Sequence, residues 1–438
     1  MIKIKISKQI LADIVGTSKN VIQKWHNNGF LVPLQNKETN EVYYSLDQLK
    51  KIEQAQFLFS NDWDEEEKTK PTRKYNLIEL FAGAGGLAIG LEKAGLNSIL
   101  LNEFDKDACE TLKLNRPNWN VVHSDIAKVN FKHYKHEIDI ITGGFPCQAF
   151  SYAGKKLGFE DTRGTLFYEF ARAVKETNPK VLLAENVRGL ISHEKGKTLS
   201  IISNVIDELG YELVKPRVLK AIFYKVPQKR ERLFLVAIRK DLAPYVNFKY
   251  PAKFPKIFTL KDALQSGVLY NRDVPKSGGQ IYPKRKEEIL SQVPPGGYWK
   301  NLSDDLQKEY MQGSYYLGGG KTGLARRLSW DEPSLTLTCA PAQKQTERCH
   351  PEETRPLTTR EYARIQTFPD DWEFCGSNTS VYKQIGNAVP VNLGYAIGRS
   401  LVKLLNDIEK IKIHKDLKIP LVHTQKNMSE NYQKSFPY

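Results

Sequence analysis

Cysteine is scarce in this chain: five among 438 residues, at positions 109, 147, 339, 349 and 375, with no Cys-x-x-Cys pair. The odd count and the missing pairs speak against a disulfide framework and a structural zinc site, and point to a reducing cytoplasm. Cys349-His350 reads as a polar loop dipeptide rather than a ligand pair, so no metal is expected. Long apolar runs are absent too. None approaches the roughly 18 residues that span a bilayer, and Met1-Ile2-Lys3-Ile4-Lys5 lacks the apolar core of a signal peptide. No membrane partner is expected, and no internal repeat is found. Acid is short relative to base: 50 Asp and Glu stand against 65 Lys and Arg, a net charge of +15. Such an excess attracts polyanions, nucleic acid being the commonest. The length suffices for two or three domains with sizeable cores.

The chain divides by texture. Residues 1–58 show a helix capped by Ser7, a turn at Gly16-Thr17-Ser18 and a second helix over about 19–27. Two short strands follow, at 29–33 and 41–44, then a third helix from Ser45. This order, with Trp25-x-x-x-Gly29-Phe30-Leu31-x-Pro33, resembles the winged helix-turn-helix domain of MerR-like regulators; the alternative is a small helical cap on the rest of the chain. Residues 59–75 are acidic and then Lys-, Thr- and Pro-bearing, and read as a linker. From 76 to 240, strand-like runs at 77–81, 98–101, 121–122, 138–142, 181–184 and 233–238 alternate with helical patterns such as 166–177 and 199–209. That alternation predicts an α/β fold with a mostly parallel sheet wrapped by helices. Residues 241–382 are rich in Gly, Pro, Tyr and Lys and predict a smaller irregular domain. Residues 383–412 return to the large domain through a helix over 391–411, and 413–438 form a basic tail.

Within the α/β region the chemistry sits at strand ends. Phe81-Ala82-Gly83-Ala84-Gly85-Gly86-Leu87 follows a strand and opens a helix, where glycines let the backbone approach a ligand. Glu103, after the next strand, stands where an acid holds ribose hydroxyls. Asp125-Ile126 follows the third strand; taken alone, Asp125 reads as a helix cap. Pro146-Cys147 ends the fourth strand and puts a thiol at the mouth of the sheet. Glu185 ends the fifth, and Gln228-x-Arg230-x-Arg232 alternates so that the two arginines share a face if it is a strand.

These motifs, in this order, resemble the C5-cytosine-specific DNA methyltransferases of bacterial restriction-modification systems, over about 76–408. The resemblance implies a Rossmann-like fold, S-adenosylmethionine as cofactor and double-stranded DNA as substrate, with a cognate restriction endonuclease as a functional rather than physical partner. It implies cofactor contacts at Phe81, Gly83, Gly85, Gly86, Leu87, Glu103, Phe104, Asp125, Ile126, Pro146 and Asn387. It makes Cys147 the nucleophile that adds to C6 of a flipped-out cytosine, Glu185 the acid at N3 and the exocyclic amine, Arg232 a neighbour of O2 and Arg230 its support. The polar loop after Cys147 carries Ser151 and Arg163 toward DNA; Ala153 stands where many relatives have a second serine. Within 241–354, Arg326, Arg327, Thr336 and Leu337 carry the best signals for DNA recognition, each of which could equally touch phosphate or be solvated. Two other readings are a tRNA cytosine-5 methyltransferase and a non-catalytic DNA-binding regulator that kept the fold.

Overall fold

The computed structural model describes residues 5–35, 42–146, 165–318 and 321–416, without the side chains of residues 5 and 412–416. Cys147, Ser151 and Arg163 lie outside the described residues.

The N-terminal unit opens with β1 (Lys5–Ser7), α1 (Lys8–Val15) and α2 (Lys19–Asn27), followed by β2 (Leu34–Gln35) and β3 (Val42–Ser45) in a sheet of order β1-β3-β2. Ser7 and Ser18 cap the two helices by accepting the amides of Ile10 and Val21. Gly16 ends α1 at φ 79°, a left-handed position that glycine takes without strain. The segment 29–33 is not the expected strand. It turns, so that Phe30 packs edge-on against Trp25 at 5.3 Å between ring centroids. The expected third helix is also absent. Two 3-10 segments, Leu46–Lys51 and Glu53–Leu58, break at Ile52, whose extended backbone puts its side chain in the core. Burial of Ile52 outweighs helix propensity here.

The presumed linker is built structure. Residues Trp63–Glu67 form α3, with Trp63 buried and the Arg399 guanidinium 4.1 Å over its ring. Glu66 accepts the Ala252 amide at 3.0 Å. One tryptophan in an acidic stretch has no period to read, so only its burial reveals the helix.

The central sheet holds β4 (Tyr75–Leu80), β5 (Leu96–Glu103), β6 (Val121–His123), β7 (Ile140–Gly143), β8 (Val181–Val187), β9 (Tyr211–Leu213), β10 (Arg217–Lys220) and β12 (Glu231–Arg239). Its order is β10-β12-β8-β7-β4-β5-β6, with β9 beside β12. Strands β4 to β8 pair in parallel; β12 runs antiparallel to β8, β9 and β10, so the sheet is mixed. Strand alternation assigns the two faces. Tyr75, Leu77, Val181, Leu183, Phe234 and Val236 join one core; Ile78, Leu80, Leu182, Ala184, Leu233 and Leu235 join the other. The second core is covered by α6 (Leu166–Thr177) and α7 (Lys197–Glu208). The first takes in the last helix and also Leu11, Ile14 and Ile22 of the N-terminal unit, which therefore shares a core with the sheet. Between the parallel strands run α4 (Gly86–Lys93) and α5 (Lys106–Asn115).

Between β12 and the final helices, regular structure is short. Here lie α8 (Leu260–Leu264), α9 (Lys284–Leu290), α10 (Asp304–Met311) and β13 (Ser334–Leu335), which pairs in parallel with β11 (Gln228–Lys229). A separate core of Leu290, Trp299, Tyr310, Met311 and Cys349 holds this segment. Cys349 and His350 are both buried, not a solvated loop pair. Helix α11 (Thr359–Ile365) starts with a reciprocal Thr358–Glu361 capping box. Helices α12 (Asn378–Asn387) and α13 (Val391–Asp416) bring the chain back to the sheet.

Candidate active site

The C-terminal ends of β4, β5, β7 and β8 open into one cavity of about 500 Å³. It is lined by Phe81, Gly83, Gly86, Leu87, Glu103, Pro146, Glu185, Arg232 and Asn387, so nine separated sequence candidates meet in one place. Parallel strands put Phe81, Glu103, Pro146 and Glu185 there, because their C-terminal ends lie on one edge; Arg232 comes from the start of antiparallel β12 and Asn387 from the end of α12.

The glycine turn forms one end. Phe81 holds a φ of 58°, an uncommon backbone state for a residue with a side chain. Gly83 and Gly85 also lie at positive φ. Gly86 starts α4, where a Cβ would stand 2.3 Å from the Val389 carbonyl oxygen; no side chain fits between α4 and the returning chain. Glu103 braces this turn. Its Oε2 accepts the Gly83 amide and its Oε1 accepts the Phe104 and Asp105 amides, each at 2.8 Å.

Glu185 and Arg232 form the other end. The register Phe234↔Glu185 brings β12 beside β8, and Arg232 Nε stands 2.7 Å from Glu185 Oε1 with both side chains largely buried. Burial pushes the Glu185 carboxyl above its ordinary range, against the pull of Arg232 and then Arg230. Burial likewise weighs on the Arg232 guanidinium, against Glu185. The pair is an ion contact without hydrogen-bond alignment, which leaves Glu185 Oε1 buried and without a donor among the described residues. Glu185 Oε2 faces Gly144, where a Cβ would sit 3.0 Å away. Between the two ends runs Phe145-Pro146, the segment that leads into residue 147.

Other candidates lie apart from this cavity. Gly85 sits behind the turn, where a Cβ would meet Leu112 and Trp372. Phe104, Asp125 and Ile126 do not line it: Phe104 is exposed, Ile126 is buried, and Asp125 caps a short 3-10 turn through the Ala127 amide. Arg230 is fully buried and does not share a cavity with Glu185. Its guanidinium donates to the carbonyls of Leu337, Gly386 and Asn387, tying the sheet edge to the irregular segment after β12 and to α12. Arg327 is likewise buried, donating to the carbonyls of His350, Glu352 and Leu290 and to Thr354 Oγ1. That geometry gives Arg327 a scaffold role instead of the expected reach toward DNA. Leu337 is buried in the core, and Thr336 donates to the Lys229 carbonyl. Arg326 lies half-buried, 6.0 Å from the Tyr298 ring.

Four residues escaped the sequence reading. Glu79 on β4 lines the cavity wall while 2% exposed; burial raises its carboxyl to about 8, against the Ala88 amide. An acid inside an apolar strand was the available signal. Asn186 Nδ2 donates to the Phe145 carbonyl at 2.9 Å. Lys383 on α12 pairs with Asp105 at 2.9 Å, and both line the cavity. That contact joins residues 278 positions apart, beyond any local pattern.

Four carboxyl groups, of Glu79, Glu103, Asp105 and Glu185, face the cavity beside Arg232 and Lys383, and among the described residues Oε2 of Glu79 and Oε1 of Glu185 are buried without donors. Among the described residues, no group of three His, Cys, Asp or Glu could hold a metal, and no helix is long and apolar enough to cross a membrane.

Comparison with known proteins agrees with this geometry. Residues 75–403 match the family described as C-5 cytosine-specific DNA methylase. The type II methyltransferase M.Eco47II of Escherichia coli is 65% identical over 410 residues, 94% of this chain and 98% of the relative. M.PspPI of Psychrobacter sp. (strain TA137) is 59% identical, covering 92% and 97%. A crystal structure described as a prophage-encoded DNA modification methyltransferase (E. coli) aligns with a TM-score of 0.55 at 26% identity, over 76% of this chain and all of that one. The chain is a member of the C-5 cytosine-specific DNA methylase family, DNA (cytosine-5-)-methyltransferases whose methyl donor is S-adenosylmethionine.

Proposed function

We propose that this enzyme methylates C5 of one cytosine in a short double-stranded DNA site, protecting host DNA from a cognate restriction enzyme. The observation that carries the reading is the buried Glu185–Arg232 pair in the same cavity as the glycine turn, with Pro146 between them. S-adenosylmethionine, held by the turn and by Glu103, supplies the methyl group when bound.

Cytosine C5 is a poor nucleophile until the ring loses its aromaticity. Addition of the Cys147 thiolate to C6 does this, and the electron pair moves toward N3. Glu185, whose buried carboxyl tends to keep its proton, supplies that proton at N3 and accepts a hydrogen bond from the exocyclic amine. Arg232 fixes the Glu185 side chain and, as the family resemblance implies, neighbours the cytosine O2. Asn186 holds the Phe145 carbonyl and so sets the start of the segment that carries Cys147. A base inside a duplex cannot reach this depth, so the target must be flipped out of the stack.

Bisulfite sequencing of DNA from cells expressing the chain tests the proposal, beside a Cys147→Ser control. Methylation at one short motif, lost in the control, is expected. The mechanistic step is read by covalent trapping on duplex containing 5-fluorocytosine; trapping that survives Cys147→Ser overturns the nucleophile assignment.

A second reading concerns the N-terminal unit, whose capped helices α1 and α2 around Gly16 support binding of an operator next to its own gene. Footprinting of the upstream DNA with full-length Cys147→Ser chain tests it; no protected segment overturns it.

A further inference from the structure

Helices α1 and α2 do not stand off as a tethered module. Besides the shared core, a chain of charges joins them to the catalytic edge and the recognition segment. Asp13 on α1 meets Lys229 at 2.9 Å, Lys229 meets Glu332 at 3.7 Å, and Glu332 meets Lys19 on α2 at 3.3 Å. Lys229 directly precedes Arg230 and pairs through β11 with the recognition segment. The unit is therefore fixed in register with the site.

Between the unit and the sheet edge lies a second cavity of about 510 Å³. Gly16 and Thr17 line it together with Arg188, Lys220 and Arg232; its two acids, Asp13 and Glu231, are paired with Lys229 and Arg188, each at 2.9 Å. It shares Val187 and Arg232 with the cofactor cavity, so the two open side by side around the Glu185–Arg232 pair. Lys220 has no carboxylate partner among the described residues, and a Cβ at Gly16 would stand 2.9 Å from its Nζ. The Gly16 and Thr17 amides are given to the Ala12 carbonyl at the end of α1, so the groups this wall can offer an anion are the Thr17 hydroxyl and the Lys220 ammonium. Arg217 and Lys253 extend the same positive field. A phosphate is the ligand this lining suits: a small-residue turn that admits close approach, facing an uncommitted ammonium.

We infer that the N-terminal unit is a fixed wall of the substrate groove, and that its Gly16-Thr17 turn and Lys220 hold a backbone phosphate of the duplex flanking the flipped cytosine. The inference rests on duplex DNA being the substrate. It gives the unit a part in methyl transfer that is separate from any operator binding, and makes the two compete for one surface.

The test uses full-length chain and unmethylated plasmid DNA. Lys220→Ala removes the cation, and Thr17→Glu sets a carboxylate in the phosphate's place. Each is expected to raise KM for DNA roughly threefold or more, with the effect on KM rather than kcat, and Lys220→Ala to lower the salt slope of DNA binding by about 0.9, the value of one phosphate contact. S-adenosylmethionine affinity, unchanged, reports an intact fold, and Lys220→Arg is expected to restore binding. Wild-type KM and salt slope in both variants overturn the inference. If Thr17→Glu does not fold, Lys220→Ala decides alone. A wild-type chain that methylates no duplex refutes the substrate reading instead, and the salt slope on plasmid DNA still decides whether this wall binds phosphate.

Discussion

Asn186 donates from Nδ2 to the carbonyl of Phe145 at 2.9 Å while its Oδ1 accepts the Val187 amide, so one side chain ties the strand carrying Glu185 to the segment entering Cys147. Removing it takes one donor from a buried carbonyl, at a net cost of about 0.5–1.5 kcal/mol. Asn186→Ala is expected to slow covalent trapping on 5-fluorocytosine duplex by at least tenfold while S-adenosylmethionine affinity holds. Equal rates in trapping assays would show that the tie does not position the loop.

Glu185→Gln keeps the shape and a hydrogen-bonding head but cannot give up a proton. A loss of roughly 100-fold or more in kcat is expected, the range of general acid catalysis. Arg232→Gln removes the positive charge that favours the carboxylate, so the Glu185 carboxyl rises further. The alkaline limb of kcat, set by loss of that proton, is expected to move to higher pH, which a pH-rate profile reads directly.

Glu79 predicts a pH dependence of stability. Its carboxyl titrates near 8 in the folded chain against an ordinary 4.5. Between those values the unfolded chain has lost a proton that the folded chain keeps, so this group's contribution to stability falls as pH rises through the window. Thermal unfolding of Glu79→Gln is expected to match the native chain near the acid end and exceed it near the alkaline end. Parallel Tm curves would refute this.

Gly144→Ala places a Cβ about 3.0 Å from Glu185 Oε2. Overpacking of this kind costs roughly 1–3 kcal/mol, and the carboxyl is the part able to move. A lower kcat with unaltered S-adenosylmethionine affinity is the expected split, measured by steady-state kinetics and cofactor titration.

Arg327 separates scaffold from reader. Its guanidinium satisfies three carbonyls and a hydroxyl inside the irregular segment after β12. Arg327→Ala is expected to lower Tm by several degrees and leave the methylated motif as it was. A changed motif at constant Tm, read by bisulfite sequencing, would make it a base reader instead.

Much of this protein is written locally. Strands β4, β7, β8 and β12 are apolar runs; the glycine turn and Glu185 sit at C-terminal strand ends, which parallel topology sends to one edge, and antiparallel β12 starts at that edge with Arg232. Local pattern therefore determined the α/β class and singled out the glycine turn, Glu185 and Arg232, which meet in one cavity. Tertiary structure alone decided what depends on contacts between distant residues. Burial of Ile52 broke a helix, and Trp63 against Arg399 made a packed segment of an apparent linker. Arg230 and Arg327 turned inward to main-chain carbonyls that no spacing predicts, and Asp13 with Lys229 joined the N-terminal unit to β11. An arginine in a sequence is a cation with five donors; whether it meets DNA or a carbonyl depends on which backbone groups the fold leaves buried and unpaired.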